Sequence, residues 1–479
     1  MTAADFRTTS ARALKDPELR ANFRRAMDGL MAKRAAMFPD ADEWRRLRAL
    51  GAAIRARSLL NLPALLEQLE SRLTANGIHV HWAETVDQGN AIFKEILARH
   101  DARRLVKGKS MVSEEMGLNH ALEEDGIEII EADLGEYIIQ LDHETPSHII
   151  MPAIHKNKTQ IARLFSQKIK DAEYTEDVAR LTDLARRVLR KKFAAADAGV
   201  SGVNVAVAET GTLVLVENEG NGRMCTTVPS LHIAVMGLEK VVERLEEVPP
   251  ILQLLTRSAT GQPISTYVNM ISGPAKADEK DGPREVHLVI LDNGRSRIYS
   301  DPELRKTLRC IRCGACMNHC PVYTRVGGHA YPGVYPGPIG KILTPQLLGL
   351  HEAGDLPHGS SLCNACVEVC PVEIPIAALL VRLRREAAGN GAARAPSAMP
   401  PKGAGLHRSG VESLVWRGWA LAYRLPWLYR LTGFALSRFG RLLPTSLPLL
   451  KAWTTVRSKP RFARRTLHEL ARQEGLSDD

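Results

Sequence analysis

The sequence predicts an α/β domain with a mostly parallel sheet, then an all-α domain carrying two cysteine motifs, and finally a basic helical tail. Three observations predict this. Helix-like runs alternate with short β-rich segments from about residue 61 to residue 300. Seven of the eight cysteines fall between Cys310 and Cys370. From Gly391 to Asp479 there are 15 Lys and Arg against 5 Asp and Glu, while the residues before that balance to zero. The 479 residues exceed one ordinary core, and about three domains is the natural expectation.

Residues 1–60 read as an N-terminal helical arm. Leu19, Phe23, Met27, Leu30 and Met31 are spaced by three and four, which gives one apolar packing face. From 61 to 300 the helix-like run Ala64 to Leu73 precedes β-rich segments at Ile78 to Trp82, Ile127 to Ile130, His148 to Met151, Val203 to Ala208, Thr212 to Val216, His232 to Met236 and His287 to Leu291. Such alternation favours crossover connections and a mostly parallel sheet.

Two polar segments stand at expected strand ends. In Lys107 to Glu115 the triplet Gly108-Lys109-Ser110 suggests a phosphate-binding loop, but that motif needs a glycine at position 103, which is Arg103. The segment Ala208 to Arg223 has Gly211 leading into a buried strand, then Glu217, Asn218 and Glu219 beyond its carboxyl end, where open α/β sheets bind ligands. A plain polar turn between strands is the competing reading. His143, His148 and His155 lack helical i, i+4 spacing and read as structural or surface residues. Cys225 reads as a small buried hydrophobe.

The cysteines run Cys310-x2-Cys313-x2-Cys316-x3-Cys320-Pro321, then Cys363-x2-Cys366-x3-Cys370-Pro371. Three thiolates two residues apart wrap three corners of one iron–sulfur cubane, and the fourth, before proline, reaches a second. Zinc sites take four ligands in two pairs and have no use for this pattern. Cys310, Cys313, Cys316 and Cys370 are expected to hold the first cluster, and Cys320, Cys363 and Cys366 the second. Ser360 stands where a fourth cysteine of the second motif would align. The expectation is two iron–sulfur clusters of the [4Fe-4S] kind, the second with three cysteine ligands. A three-iron cluster, a four-iron cluster with an open or oxygen-ligated iron, and one completed by Cys225 or a partner all fit that second site. Residues 301–390 are therefore expected to form a helical ferredoxin domain. The long connector rich in Gly and Pro, Gly327 to Gly340, suits that arrangement better than a small β ferredoxin.

The segments Lys107 to Glu115, Glu144 to Lys156, Glu209 to Met224 and Gly327 to Gly340, with both cysteine motifs, resemble the lactate utilisation protein B family. The resemblance implies a lactate-utilisation domain similar to the ribose-5-phosphate isomerase and CoA-transferase group. It also implies a helical ferredoxin domain, a family-specific tail, the seven cysteines as cluster ligands, and partners in the other two components of the system and an electron acceptor.

The tail, residues 391–479, places Arg417, Arg424, Arg430, Arg438 and Arg441 in one helical arc and Leu414, Leu421, Leu425, Leu428, Leu436 and Leu443 opposite, with a break at Pro426. In-plane contact with a membrane through 411–465 and packing of the leucines on the protein or a sister subunit both fit. No apolar stretch of about 18 residues exists to span a bilayer. With no secretory leader read at the start and metal-type cysteine spacing, the expectation is a reducing, cytoplasmic setting. Nucleic acid is not expected as a partner, because the body carries no excess of cations.

The leading functional reading is an electron-transfer subunit in oxidation of L-lactate to pyruvate. No Gly-x-Gly-x-x-Gly fingerprint follows a strand, so the two-electron step falls to a partner or to a site of another kind. The alternative is an isomerase-like or acyl-transferring enzyme that uses Glu209, Glu217 or Glu219, with structural or redox-sensing clusters.

Overall fold

In the computed structural model, the structure describes residues 6–388, 410–446, 454 and 458–475. Ten strands occur among them: β1 (Ile78–Ala83), β2 (Arg104–Lys107), β3 (Glu128–Glu131), β4 (Ala198–Gly202), β5 (Val205–Val207), β6 (Thr212–Glu217), β7 (Leu231–Gly237), β8 (Val241–Val242), β9 (Tyr267–Ile271) and β10 (Glu285–Leu291). Six form a sheet in the order β1-β10-β7-β4-β2-β3, with every neighbouring pair parallel. The other four form a small mixed sheet, β8-β5-β6-β9. The central strand β7 is buried along its whole length, as a parallel strand covered on both faces must be. Helices Val86–Arg99 and Val178–Ala194 bury Phe93, Ile96 and Leu97, and Leu181, Ala185 and Leu189, on their apolar stripes.

The expected strands at 78–82, 127–130, 203–208, 212–216, 232–236 and 287–291 fall on β1, β3, β5, β6, β7 and β10. The segment His148 to Met151 is a correction, because it is a loop, buried at His148 and Ile149, and not a strand. Its backbone donors are used locally: the amides of Ile150 and Met151 donate to His148 Nδ1 at 3.0 and 3.2 Å. Sequence reading passed over β2 and β4 because neither shows a long apolar run. In β4 the small residues are required, since a Cβ on Gly199 would stand 1.8 Å from the Cys225 carbonyl oxygen.

The N-terminal helices fasten the sheet to the cysteine segment. Helix Pro17–Met37 buries Phe23, Met27 and Leu30, and the Phe23 ring meets Tyr323 edge-on at 5.4 Å. Helix Ala41–Leu60 sends the buried Arg55 to the carbonyls of Val241 (2.8 Å) and Leu308 (3.2 Å). From the same helix Arg48 donates to the carbonyls of Cys370 (2.8 Å) and Val367 (2.7 Å). The cysteine segment is all helix, turn and loop, with its longest helices at Gly337–Leu348 and Ile376–Ala387.

A second compact unit spans 407–479. Its helices Gly410–Arg424 and Pro426–Phe439 meet at the expected break, and Trp416, Trp419 and Trp427 are exposed. Trp453 and residues 391–409 of the expected tail lie outside the described residues. Among the described residues no helix is long and apolar enough to cross a membrane.

Candidate metal centre and the cavity beside it

Each cysteine motif is a loop closed by one short helical turn. Gly314 and Asn364, both with positive φ, start the turns Ala315–Asn318 and Ala365–Glu368. A side chain at Gly314 would be crowded, because a Cβ would meet the His148 and Ile150 side chains at 3.1 and 3.2 Å. His148 is locked behind it by Asn318 at 3.0 Å, and burial lowers its pKa to about 4. This histidine is structural, as its spacing suggested.

Cys310, Cys313, Cys316 and Cys370 line one hollow, walled by Ile149, Ile311, Ile339, Val372, Ile374 and Ile376. The donor set fits an iron–sulfur cluster, with four soft thiols in an apolar cradle and backbone amides aimed at sulfur. The Arg312 amide donates to Cys310 Sγ at 3.4 Å and the Ile374 amide to Cys370 Sγ at 3.4 Å. Burial raises the thiol pKa of Cys313 and Cys316, and pushes Cys370 to about 11. A bound metal removes such thiol protons outright.

A second hollow is lined by Cys320, Cys363 and Cys366 together with Ser360, Ser361 and Leu362. Lys341 Nζ lies 3.5 Å from Cys320 Sγ. Here the expectation of a second cluster with three cysteine ligands is corrected. Among the described residues, the sets of three or more donors whose ligand atoms lie within 4.8 Å of one another are His100, Glu285 and His287, and Glu144, His155 and His329. Cys320, Cys363 and Cys366 form no such set. Around the hollow Cys320 is buried, Cys366 half-buried and Cys363 exposed. Cys225 does not complete the hollow either, because it packs with Val106, Ala132 and Phe193.

The two convergent sets consist of imidazole and carboxylate. His287 Nε2 and His100 Nε2 reach the same oxygen of Glu285 at 2.8 and 3.3 Å. His81 Nε2 lies 2.9 Å from His287 Nδ1. In the other set His155 Nε2 lies 2.7 Å from Glu144, whose oxygen also takes Lys156 at 3.0 Å. Sequence spacing shows only part of the first set, because Glu285 and His287 share β10 while His100 caps helix Val86–Arg99, and loops far apart in the chain supply the second.

Beside the first hollow lies a buried charge node. Arg295 is fully buried and holds Glu115 with two nitrogens at 2.7 and 2.8 Å and Glu239 at 2.8 Å. Tyr335 donates to Glu115 at 2.7 Å, and Arg312 reaches Glu239 at 3.3 Å. Burial would raise the Glu239 carboxyl, but Arg295 and Arg312 hold it down at about 2. Arg312 sits at φ 61 between two cysteines, so a strained turn aims its side chain at the sheet.

On the far side of Arg312 opens a cavity of about 470 Å³. It lies at the carboxyl ends of β2, β4 and β7, lined by Lys109, Asn204, Glu217, Glu219, Lys240 and Arg312 among others. Glu217 and Glu219 thus stand where the sequence placed a ligand. Glu209 does not, as it accepts from the Leu245 amide at 3.0 Å. Lys107 is buried and pairs with Glu131 (2.7 Å) and Glu114 (3.0 Å), which makes it a structural cation and not a phosphate ligand.

Three family profiles match the chain: the LUD domain over residues 66–291, the 4Fe-4S dicluster domain over 306–374, and lactate utilisation protein B, C-terminal, over 382–476. Lactate utilization protein B of Shouchella clausii is 41% identical over 485 aligned positions, covering 99% of this chain and 98% of that protein. The chain belongs to the lactate utilization protein B family. The Bacillus licheniformis protein of that name is 42% identical, over 91% of this chain and 89% of its own. An uncharacterized electron transport protein of Escherichia coli, YkgF, is 46% identical over 81% of each chain. The family's profiles meet the structure in order, with the parallel sheet under the first and the two cysteine hollows under the second.

Proposed function

We propose that this chain is an iron–sulfur electron-transfer subunit acting in the oxidation of L-lactate to pyruvate, with Cys310, Cys313, Cys316 and Cys370 as the ligands of one cluster. The observation that carries the reading is the single apolar hollow shared by those four thiols, three from one motif and one from the end of the other. When bound, the cluster supplies reversible one-electron transfer. The chain's own residues exclude water, through the isoleucine wall, and direct amide donors at two sulfurs, which are levers on potential.

The proposal extends to the chain's organisation. A helical arm at 1–60, a lactate-utilisation domain at 61–300, a helical ferredoxin domain at 301–390 and a tail at 391–479 accord with the profile boundaries. The α/β part is assigned the fold of the ribose-5-phosphate isomerase and CoA-transferase group, a reading supported by its parallel sheet with a small mixed sheet appended. The partners are the other two components of the system and a further electron carrier. The exposed tryptophans of the tail favour peripheral contact of 411–465 with a membrane surface in a cytoplasmic protein.

The test is anaerobic purification with iron and sulfide analysis, followed by electron paramagnetic resonance as L-lactate is added with the partner components. Reduced-cluster signals that appear with lactate support the reading. A protein that holds zinc and little iron defeats it.

A further inference from the structure

One edge of the parallel sheet carries a cluster that no part of the electron-transfer reading uses. His79 and His81 on β1 share a face with Glu285 and His287 on β10, because each pair is two residues apart and His79 stands opposite His287 in the register. Helix Val86–Arg99 leaves β1 and returns to the amino ends of the strands, where its capping residue His100 joins the group. The cavity beside the cysteine segment opens at the opposite, carboxyl ends of the sheet.

Three imidazole nitrogens surround one carboxylate oxygen. Nε2 of His287, His100 and His79 lie 2.8, 3.3 and 3.9 Å from Glu285 Oε1, and among the described residues every ion-pair partner of Glu285 is a histidine. Glu144 in the other convergent set differs, since Lys156 already holds its carboxylate at 3.0 Å and competes with any metal ion. Imidazoles around a carboxylate are the donor set of a transition cation, whereas calcium and magnesium call for oxygen ligands.

We propose that His100, Glu285 and His287 bind a divalent transition cation, with zinc as the ion they favour. Their three donor atoms lie within 4.8 Å of one another. Metal–ligand bonds of about 2.0–2.2 Å at tetrahedral angles put neighbouring donors about 3.3–3.6 Å apart. The two nitrogen–oxygen separations, 2.8 and 3.3 Å, stand close to that. Iron(II) accepts two imidazoles and a carboxylate as well, but the same donors hold zinc more tightly. His287 is buried, Glu285 half-buried and His100 exposed, so the site is anchored in the sheet and reachable from solvent. His81 supplies the outer contact that a ligating histidine needs, because its Nε2 lies 2.9 Å from His287 Nδ1. With a metal on Nε2, the His287 ring proton sits on Nδ1 and is donated to His81. His79 stacks on the His287 ring with centroids 4.9 Å apart and steadies its plane. The ion ties the end of the crossover helix to β10, independently of the cysteine motifs.

The test is zinc and iron analysis of the anaerobically purified protein, equilibrated with Zn2+ in a weakly chelating buffer and gel-filtered, for the native chain, His100→Ala, Glu285→Gln and His329→Ala. The expected result is one zinc per chain beside the full iron content, lost in His100→Ala and Glu285→Gln with iron unchanged, and kept in His329→Ala. His81→Phe should weaken zinc binding about 10–100-fold, read by competition with a chromophoric chelator. Added zinc should raise the thermal midpoint of the native chain and leave that of His100→Ala where it was. His100 is exposed, so its variant folds as the native chain does without the metal. Zinc at the native level in both His100→Ala and Glu285→Gln sits on the cysteines or is an adventitious ion only, and overturns the proposal. So does a native chain with full iron that takes up no zinc. The electron-transfer reading fails separately, through missing iron and missing lactate-driven cluster signals, which the histidine variants leave alone.

Discussion

The parallel sheet and the cysteine segment share one compact unit yet are held together in different ways. The sheet buries long apolar strands: β7 is covered throughout, and β10 is buried from Val286 to Leu291. The cysteine segment has short turns, and its interior includes Lys341, Arg312, Thr344 and Gln346 as well as isoleucines. Glycines there permit backbone contacts that no other residue allows. The sheet is therefore stabilised by burial of apolar area, and the cysteine segment leans on close approach, on charges pinned to neighbours and on the group its thiols hold.

The largest expected effect removes the thiol chemistry and leaves the sheet alone. Cys313→Ala should abolish lactate-driven cluster reduction and lower the bound iron, while far-ultraviolet circular dichroism stays that of the native chain. Loss of the whole fold would show that the two regions are not separable in this way.

Next comes the junction. Glu115→Gln leaves Arg295 short of a carboxylate in a fully buried site and should cost about 3–5 kcal/mol, measured by urea unfolding. A cost below about 1 kcal/mol would mean that water or another carboxylate reaches Arg295.

The sheet by itself predicts a pH dependence. His232 is buried and bonded to Ser201 Oγ at 2.8 Å, and burial lowers its pKa to about 4 from the ordinary 6.5 of a free histidine. Above pH 6.5 it is neutral in both folded and unfolded chains, so its contribution is complete there. As pH falls from 6.5 toward 4 the unfolded chain takes the proton first, and stability drops by up to about 3 kcal/mol. His232→Leu should flatten that slope between pH 7 and pH 4.5, and an unchanged slope would assign the effect to other groups.

The smallest expected effect tests close approach in the cysteine segment. A Cβ on Gly328 would stand 1.8 Å from the Ser147 carbonyl oxygen. Gly328→Ala should therefore cost about 1–3 kcal/mol and slow iron uptake. No change in either would show that the loop yields freely.

Much of this was legible in the chain. Cys310, Cys313 and Cys316 could be grouped from their two-residue spacing and Cys370 from its place at the end of the other motif, and the four line one hollow. Glu217 and Glu219 could be placed beyond the carboxyl end of a strand, where the cavity opens, because a glycine turn, a buried strand and a polar loop follow one another there. The strand at 148–151 was misread because apolar residues beside a histidine look extended, while the histidine itself takes the backbone donors. The three thiols of the second hollow were assigned by alignment of motifs, which carries no information about convergence in space.

The sequence by itself determined the order of segments, the soft-metal character of the cysteines and the separation of a basic tail, since each follows from local spacing or composition. Only the tertiary structure decided that Lys240 and Arg312 share a cavity, that Arg295 joins Glu115 to Glu239, and that His100, Glu285 and His287 converge. Apart from Glu285 and His287, the partners lie tens to hundreds of positions apart in the chain. What brings them together is the crossover order of a parallel sheet, and that order has no local signature.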